Sequence, residues 1–255
     1  VYKRQKAGRP TTQQKTQMPA LFFSGGIDST VLAYDLALRP FAYGVSYEHE
    51  DLWLVSYGKG GKALETFARR LRRATGVQAK TRAFSCPLLS YKPGPVPQEG
   101  HGSMVPSVGP LVWDRRSMPY TAGLMTWLAS LAFNLVNDWE LPHGKPQVFF
   151  GFQYEPQAWA EYDRGQLAPN DTSPDYIQAL NALSRAAGEP AHFRAPYLEN
   201  RMSRYQIVQM GLYLSVPLET THSCVMLKNE HCNRCCQCIK RMVAFRALGV
   251  DDAGR

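Results

Sequence analysis

Residues 21 to 33, LFFSGGIDSTVLA, set a short apolar run against two adjacent glycines and then against residues that suit a helix start. A brief apolar run that ends at a glycine turn and passes into helical spacing reads as a strand, a tight turn and a helix. The rest of the chain repeats that alternation. Strands are predicted at 20–23, 41–47, 77–84 and 147–152, and helices at 28–38, 60–75, 119–137, 174–187 and 203–212. Strands that alternate with helices predict an α/β fold, a parallel sheet with helices on both faces. Ligands of such sheets sit beyond the carboxyl ends of the strands, which places residues 24–30 at the binding edge. Segment 86–112 carries too many Pro and Gly for regular structure and is expected to be a long loop of the lid, binding or disordered kind.

With 255 residues, 44% of them hydrophobic, the chain can bury a core, expected here as one α/β domain over 18–220. No run approaches the ~18 apolar residues of a membrane span, and the opening residues lack the apolar stretch of a secretory signal, so a cytoplasmic protein is expected. Residues 1–17 are polar and basic and are expected to form a disordered arm. Of the net charge of +8, that arm supplies five, which leaves +3 for the body. In ETFARRLRRATG the apolar residues Leu64, Phe67, Ala68 and Leu71 recur at helical spacing, so Arg69, Arg70, Arg72 and Arg73 are expected on a solvated face. A nucleic-acid partner is disfavoured on both counts. YGKGGKAL at 57–64 approaches the phosphate motif G-x-x-x-x-G-K-[ST], but it fails where Ser56 replaces the first glycine and Ala63 the hydroxyl.

Gly25 and Gly26 permit backbone conformations and close approaches that a Cβ would block. The helix that follows presents unpaired N–H groups and a positive dipole end, and together these favour an anion such as phosphate. Asp28 could alternatively be no more than a helix-start residue. At the other end of the chain, Cys224, Cys232, Cys235 and Cys238 have the spacing C-x7-C-x2-C-x2-C within residues 221–248. Four thiolates at this spacing can close a tetrahedral site; zinc is the expected metal and an iron–sulfur cluster the alternative. With four protein ligands no position is open to water, so the site is expected to be structural. Cys86 and Cys236 are expected to stand outside it.

The complete string SGGIDST resembles the SGGxDS loop of the ATP pyrophosphatase superfamily, the PP-loop enzymes of the adenine nucleotide alpha-hydrolase-like fold. The resemblance implies ATP and Mg2+, with Ser24, Gly25, Gly26, Asp28, Ser29 and Thr30 around the pyrophosphate half and Tyr47 assigned to the nucleotide. SGGIDST together with HCNRCCQCIKRMVAF is similar to the 7-cyano-7-deazaguanine synthase (QueC) family, which ends in a zinc knuckle followed by R-x-x-AF, here Arg241 to Phe245. FFGF at 149–152, SPD at 173–175 and APYLENRMSRYQIVQMG at 195–211 resemble further segments of that family, with Arg204 where it has Lys.

The family implies an AMP- and pyrophosphate-forming ligase that adenylates the carboxylate of 7-carboxy-7-deazaguanine, with Asp28, Ser29 and Arg204 as the catalytic residues. The acyl-adenylate is then attacked by ammonia, giving a nitrile, or by a protein amine, as in QueC-like relatives of anti-phage defence systems. Asp175 and then Glu155 are the candidates to face the donor edge of the base, and Arg116 is placed on the substrate side. The partners implied are therefore a deazaguanine and a protein acceptor or ammonia, with a homodimer left open. Three departures stand out: the family's F-D-Y-G-Q-x-H after its second strand is here SYEHEDLWLVSYG, its P-G-R-N before the long helix is MPYTAG, with Arg115 and Arg116 upstream, and the region between Gly151 and Asp175 is longer than the family's loop. A thiolating tRNA-modifying enzyme and a non-catalytic nucleotide sensor are the competing readings.

Overall fold

A computed structural model describes residues 19–45, 51–57, 61–84, 147–154 and 173–254, apart from positions 187, 189, 190, 225, 226, 228, 229 and 253. Five strands, β1 (Pro19–Phe22), β2 (Leu52–Tyr57), β3 (Ala79–Phe84), β4 (Gln147–Phe150) and β5 (His192–Arg194), form one parallel sheet in the order β3-β2-β1-β4-β5. Helices α1 (Ile27–Leu38) and α2 (Gly61–Thr75) connect the first three strands in turn, and α3 (Pro174–Ala186) lies between β4 and β5. Crossovers between parallel strands are right-handed, and strand order runs outward from β1 in opposite directions. Helices α1 and α2 therefore cover one face and α3 the other, as the alternation predicts. Among the described residues no helix is long and apolar enough to cross a membrane.

The pleat divides the sheet's side chains between the two faces. Leu21, Phe23, Leu52, Leu54 and Phe149 join one core cluster with Ile27, Val31 and Leu32 of α1 and with Leu64, Phe67 and Leu71 of α2. On the opposite face Phe22 stacks on Phe150 with centroids 5.1 Å apart, and Phe150 lies 6.1 Å from Phe193. Two further helices, α4 (Arg204–Tyr213) and α5 (Cys236–Ala247), supply Ile207, Val208, Ala244 and Phe245 to the first cluster. Helix α4 comes so close to α1 that a Cβ on Gly211 would stand 2.9 Å from Val31 Cγ2. Edge strand β5 is clasped by α3: Phe193 donates its N–H to Asn181 Oδ1 at 2.8 Å, and Asn181 Nδ2 donates to the Phe193 carbonyl at 2.9 Å.

One predicted strand is corrected. The described part of segment 41–47, residues 41–45, does not pair in the sheet. Pro40–Tyr43 forms a 3-10 turn closed by Gly44 at φ 69°. Proline fixes φ and brings no N–H to a ladder, and the left-handed glycine ends the turn. The second strand is β2, eleven residues later in LWLVSY, where Leu52, Leu54, Val55 and Ser56 are buried beside β1. Val55, Ser56 and Tyr57 stand at its carboxyl end. Strand β5 and helix α5 were not predicted. The arm 1–17, the loop 86–112 and the helix 119–137 lie outside the described residues.

Candidate nucleotide site and metal centre

Strand β1 lies between β2 and β4, the point where the strand order reverses, and parallel sheets bind ligands at such a point. The glycine turn leaves β1 there. Gly25 is at φ 75°, and Gly26 is the N-cap of α1 with ψ 171°. The first intrahelical bond runs from Thr30 N–H to the Gly26 carbonyl at 3.1 Å, so the amides of residues 27–29 have no acceptor within the helix. Inside the turn, Ser24 and Ser29 hydroxyls lie 3.0 Å apart, Ser24 N–H donates to Ser29 Oγ at 3.2 Å, and Gly26 N–H donates to Ser24 Oγ at 3.2 Å. Both serines thus brace the turn's shape. The residue that follows β4 comes close to it: a Cβ on Gly151 would meet Ser29 N at 2.8 Å and Asp28 C at 3.0 Å.

Arg204 opens α4 behind the N-cap Ser203, whose side chain and that of Gln206 form a reciprocal capping box. This fixes where the guanidinium starts. Its Nη2 lies 3.0 Å from Asp28 Oδ2 and donates to Gln237 Oε1 at 3.1 Å, while its Nε donates to Gln153 Oε1. One cation thereby joins α1, the residues after β4, α4 and α5. Asp28 and Arg204, two of the three residues expected to be catalytic, meet at this point; Ser29 follows Asp28 in α1 and bonds to Ser24.

A cleft of about 150 Å³ opens on the β2 side of the turn, lined by Gly25, Thr30, Ser56, Thr66, Arg70 and His222 among others. Ser56 is buried, and its hydroxyl finds no hydrogen-bond partner among the described residues. A buried hydroxyl in that condition is costly unless a ligand or water satisfies it. Arg69, Arg70, Arg72 and Arg73 are exposed on α2 as expected, but Arg70 also borders this cleft.

The cysteine set assembles. Sulfur atoms of Cys224, Cys232, Cys235 and Cys238 all lie within 4.8 Å of one another, and Cys232 and Cys238 are 4.0 Å apart. A tetrahedral site with Zn–S of ~2.3 Å needs sulfurs roughly 3.8 Å apart, so the residues fit such an ion. Leu227 N–H points at Cys224 Sγ at 3.2 Å and Cys235 N–H at Cys232 Sγ at 3.3 Å, as thiolate ligands require. Without a cation, burial pushes the Cys238 thiol well up. The metal's own charge would reverse that. Next to this centre, His231 accepts from Ser223 N–H at Nε2, 3.1 Å, and its Nδ1 lies 2.9 Å from the Gly254 carbonyl. Burial, and then the Arg241 charge, lower its pKa, which suits a neutral ring that accepts at Nε2 and donates from Nδ1.

Asp175 is exposed in the first turn of α3, whose N-cap Ser173 accepts from Tyr176 N–H at 3.1 Å. Because α3 runs antiparallel to the strands it joins, that turn starts at the sheet's carboxyl edge. Tyr47, Arg116 and Glu155 lie outside the described residues. Sequence reading passed over His222, whose N–H donates to the Gly25 carbonyl at 2.9 Å, and Gln153 and Gln237, which hold Arg204. Gln237 stands between two of the candidate metal ligands in CCQC.

A family model described as "Queuosine biosynthesis protein QueC" matches residues 166–249. A 7-cyano-7-deazaguanine synthase from Methanoculleus marisnigri is 29% identical over 242 residues, covering 90% of this chain and 94% of that protein. One from Saccharolobus solfataricus is 25% identical over 233 residues, 90% of this chain; the chain spans only 45% of that protein's length. Among solved structures, the U34-tRNA thiolase NcsA from Methanococcus maripaludis with its [4Fe-4S] cluster matches over 92% of this chain and 66% of that one, at 13% identity and a TM-score of 0.44. A likeness that low carries no weight for the fold or the metal.

Proposed function

We propose that this chain, which resembles the QueC family model over residues 166–249 and a 7-cyano-7-deazaguanine synthase over most of its length, adenylates the carboxylate of 7-carboxy-7-deazaguanine with ATP and passes the activated acyl group to a nitrogen nucleophile. The observation that carries the reading is the convergence of the glycine turn, the helix start at residues 27–29 and the Arg204 guanidinium at the reversal point of the sheet. Negative charge builds on the departing pyrophosphate during adenylation, and donors fixed in advance stabilise that state most.

In the proposed reaction a carboxylate oxygen attacks the α-phosphorus, the bond to the bridging oxygen breaks, and pyrophosphate leaves toward the turn and Arg204, where Mg2+, when bound, would supply further charge neutralisation. The amine then attacks the acyl carbon, loses a proton, and AMP departs. With ammonia the product is an amide, which a second ATP dehydrates to the nitrile. With a protein amine the amide is the end product, as in a defence conjugate. Asp28 holds Arg204 in place; Ser24 and Ser29 hold the turn. Asp175 is the candidate among the described residues to meet the base, since α3 begins at the same sheet edge. The four cysteines would hold zinc as a structural ion in a cytoplasmic enzyme.

The test is mass spectrometry of products from ATP, Mg2+ and 7-carboxy-7-deazaguanine, with ammonium or with co-expressed proteins. AMP, pyrophosphate and a deazaguanine amide, nitrile or protein adduct are expected. Release of ADP and phosphate as the main products would overturn the reading. Free nitrile with no mass on any protein would decide for ammonia.

A further inference from the structure

The residues that follow α5 turn back onto the side of the molecule that carries the glycine turn. Arg241 of α5 is 1% exposed, and all five of its N–H donors have acceptors. Nε and Nη2 donate to the two carboxylate oxygens of Asp252, each at 2.6 Å. Nη1 donates to the Thr221 carbonyl at 3.1 Å and to Thr221 Oγ1 at 2.7 Å, and Nη2 also donates to the Leu218 carbonyl at 3.1 Å. One residue beyond Thr221, His222 N–H holds the Gly25 carbonyl at 2.9 Å. A Cβ on Gly254 would lie 2.6 Å from Arg241 Nη2, so the segment is laid directly against the guanidinium.

We propose that Asp252 is a positioning residue for nucleotide binding, acting through Arg241 and Thr221 to hold His222 against the carbonyl of Gly25. A buried guanidinium keeps its place only while its charge is met. Asp252 is the carboxylate that meets it, and it lies beyond residues 166–249, where the family model ends. Without Asp252 the cation must find water, and the two Thr221 bonds that fix the 218–222 backbone loosen with it. Gly25 sits in the left-handed region, where glycine is least restrained, so it depends on an outside partner to stay in one conformation. The role rests on the reading that the turn binds ATP, but the ordering of the turn does not.

The experiment compares wild type with Asp252→Asn, a substitution that keeps the shape and removes the charge. Hydrogen exchange of the amides at residues 25–30, measured without nucleotide, is expected to quicken about tenfold, and the Kd for ATP with Mg2+ to rise by a similar factor. Metal content should be unchanged. Exchange and Kd both within twofold of wild type in the folded, metal-loaded variant would overturn the proposal. Thr221→Val, which removes only the Oγ1 contacts to Arg241 and Leu218, should shift both readouts the same way by less. Should Asp252→Asn not fold, Thr221→Val decides by the same criterion. If wild type binds no ATP, the nucleotide reading falls, while the exchange data still decide whether Asp252 orders the turn.

Discussion

Gly151 has a sharply defined steric role. An added Cβ would stand 2.8 Å from Ser29 N and 3.0 Å from both Asp28 C and Ser29 Cα, all backbone atoms in the first turn of α1. Ordinary contact needs about 3.5 Å, so Gly151→Ala demands roughly 0.7 Å of separation between β4 and α1. No flexible side chain is available to absorb it. Both elements belong to the core: Phe149 and Phe150 precede Gly151, and Ile27 and Val31 flank the turn, each at most 1% exposed. Overpacking of this kind costs about 1–3 kcal/mol. The displaced residues are also those that head the proposed phosphate cradle, where about 1 Å of misplacement costs on the order of 10²-fold in rate. Urea denaturation and steady-state AMP formation should therefore both report Gly151→Ala, with kcat/KM for ATP falling further than stability alone explains. A variant within 0.5 kcal/mol of wild type and with unchanged kcat/KM would refute the close-approach argument.

Arg204→Ala should lower AMP formation by on the order of 10²-fold with the fold retained, and Arg204→Lys should recover part of it, since an ammonium meets a phosphate but not both glutamines; steady-state kinetics check this. Cys238→Ser should lose the bound metal and loosen the 221–254 region, while Cys236→Ser should keep both, as elemental analysis and circular dichroism would show. Burial raises the Asp252 carboxyl, but hydrogen bonds and charge from Arg241 outweigh it and hold the group below the ordinary range. Its folded pKa is thus below its unfolded value of ~3.9, so its contribution is present above that pH and is lost as pH falls through the folded value. Wild type should lose stability below about pH 4 more steeply than Asp252→Asn, in denaturation curves taken between pH 2 and 7.

The glycine turn, α1, α2 and the four-cysteine set were legible because each is a local pattern: an apolar run into paired glycines, a helical stripe, a ligand spacing. Strand β2 was missed for an equally local reason. FAYGVSY has the apolar content of a strand, but Pro40 before it and Gly44 within it make residues 40–44 a turn, and the acidic EHED breaks the apolar pattern ahead of LWLVSY. What no local pattern carries is the company each residue keeps. Arg204 could be named from resemblance, but Gln153 and Gln237 lie 51 and 33 positions from it in sequence and meet it only through the fold. Arg241 was noted only as part of R-x-x-AF, and nothing near it in sequence pointed to Thr221.

The Asp28–Arg204 pair bears on how the site would act. At 3.0 Å, with side chains 17% and 11% exposed, each charge is largely withdrawn from water and answered by the other. A pair in that position is weak evidence for stability, because desolvation offsets much of the attraction. It does hold a guanidinium in register beside a helix N-terminus, with two amide oxygens taking further donors. An incoming polyphosphate would then meet a cation already oriented, and would share it with Asp28 without having to recruit a mobile side chain. Binding loses less side-chain entropy that way, and what remains can be directed to the departing pyrophosphate. Asp28→Asn should accordingly raise the KM for ATP less than it lowers kcat, since the nucleotide still finds a cation but one no longer fixed. Equal loss in both terms would mean that the carboxylate contributes to binding alone.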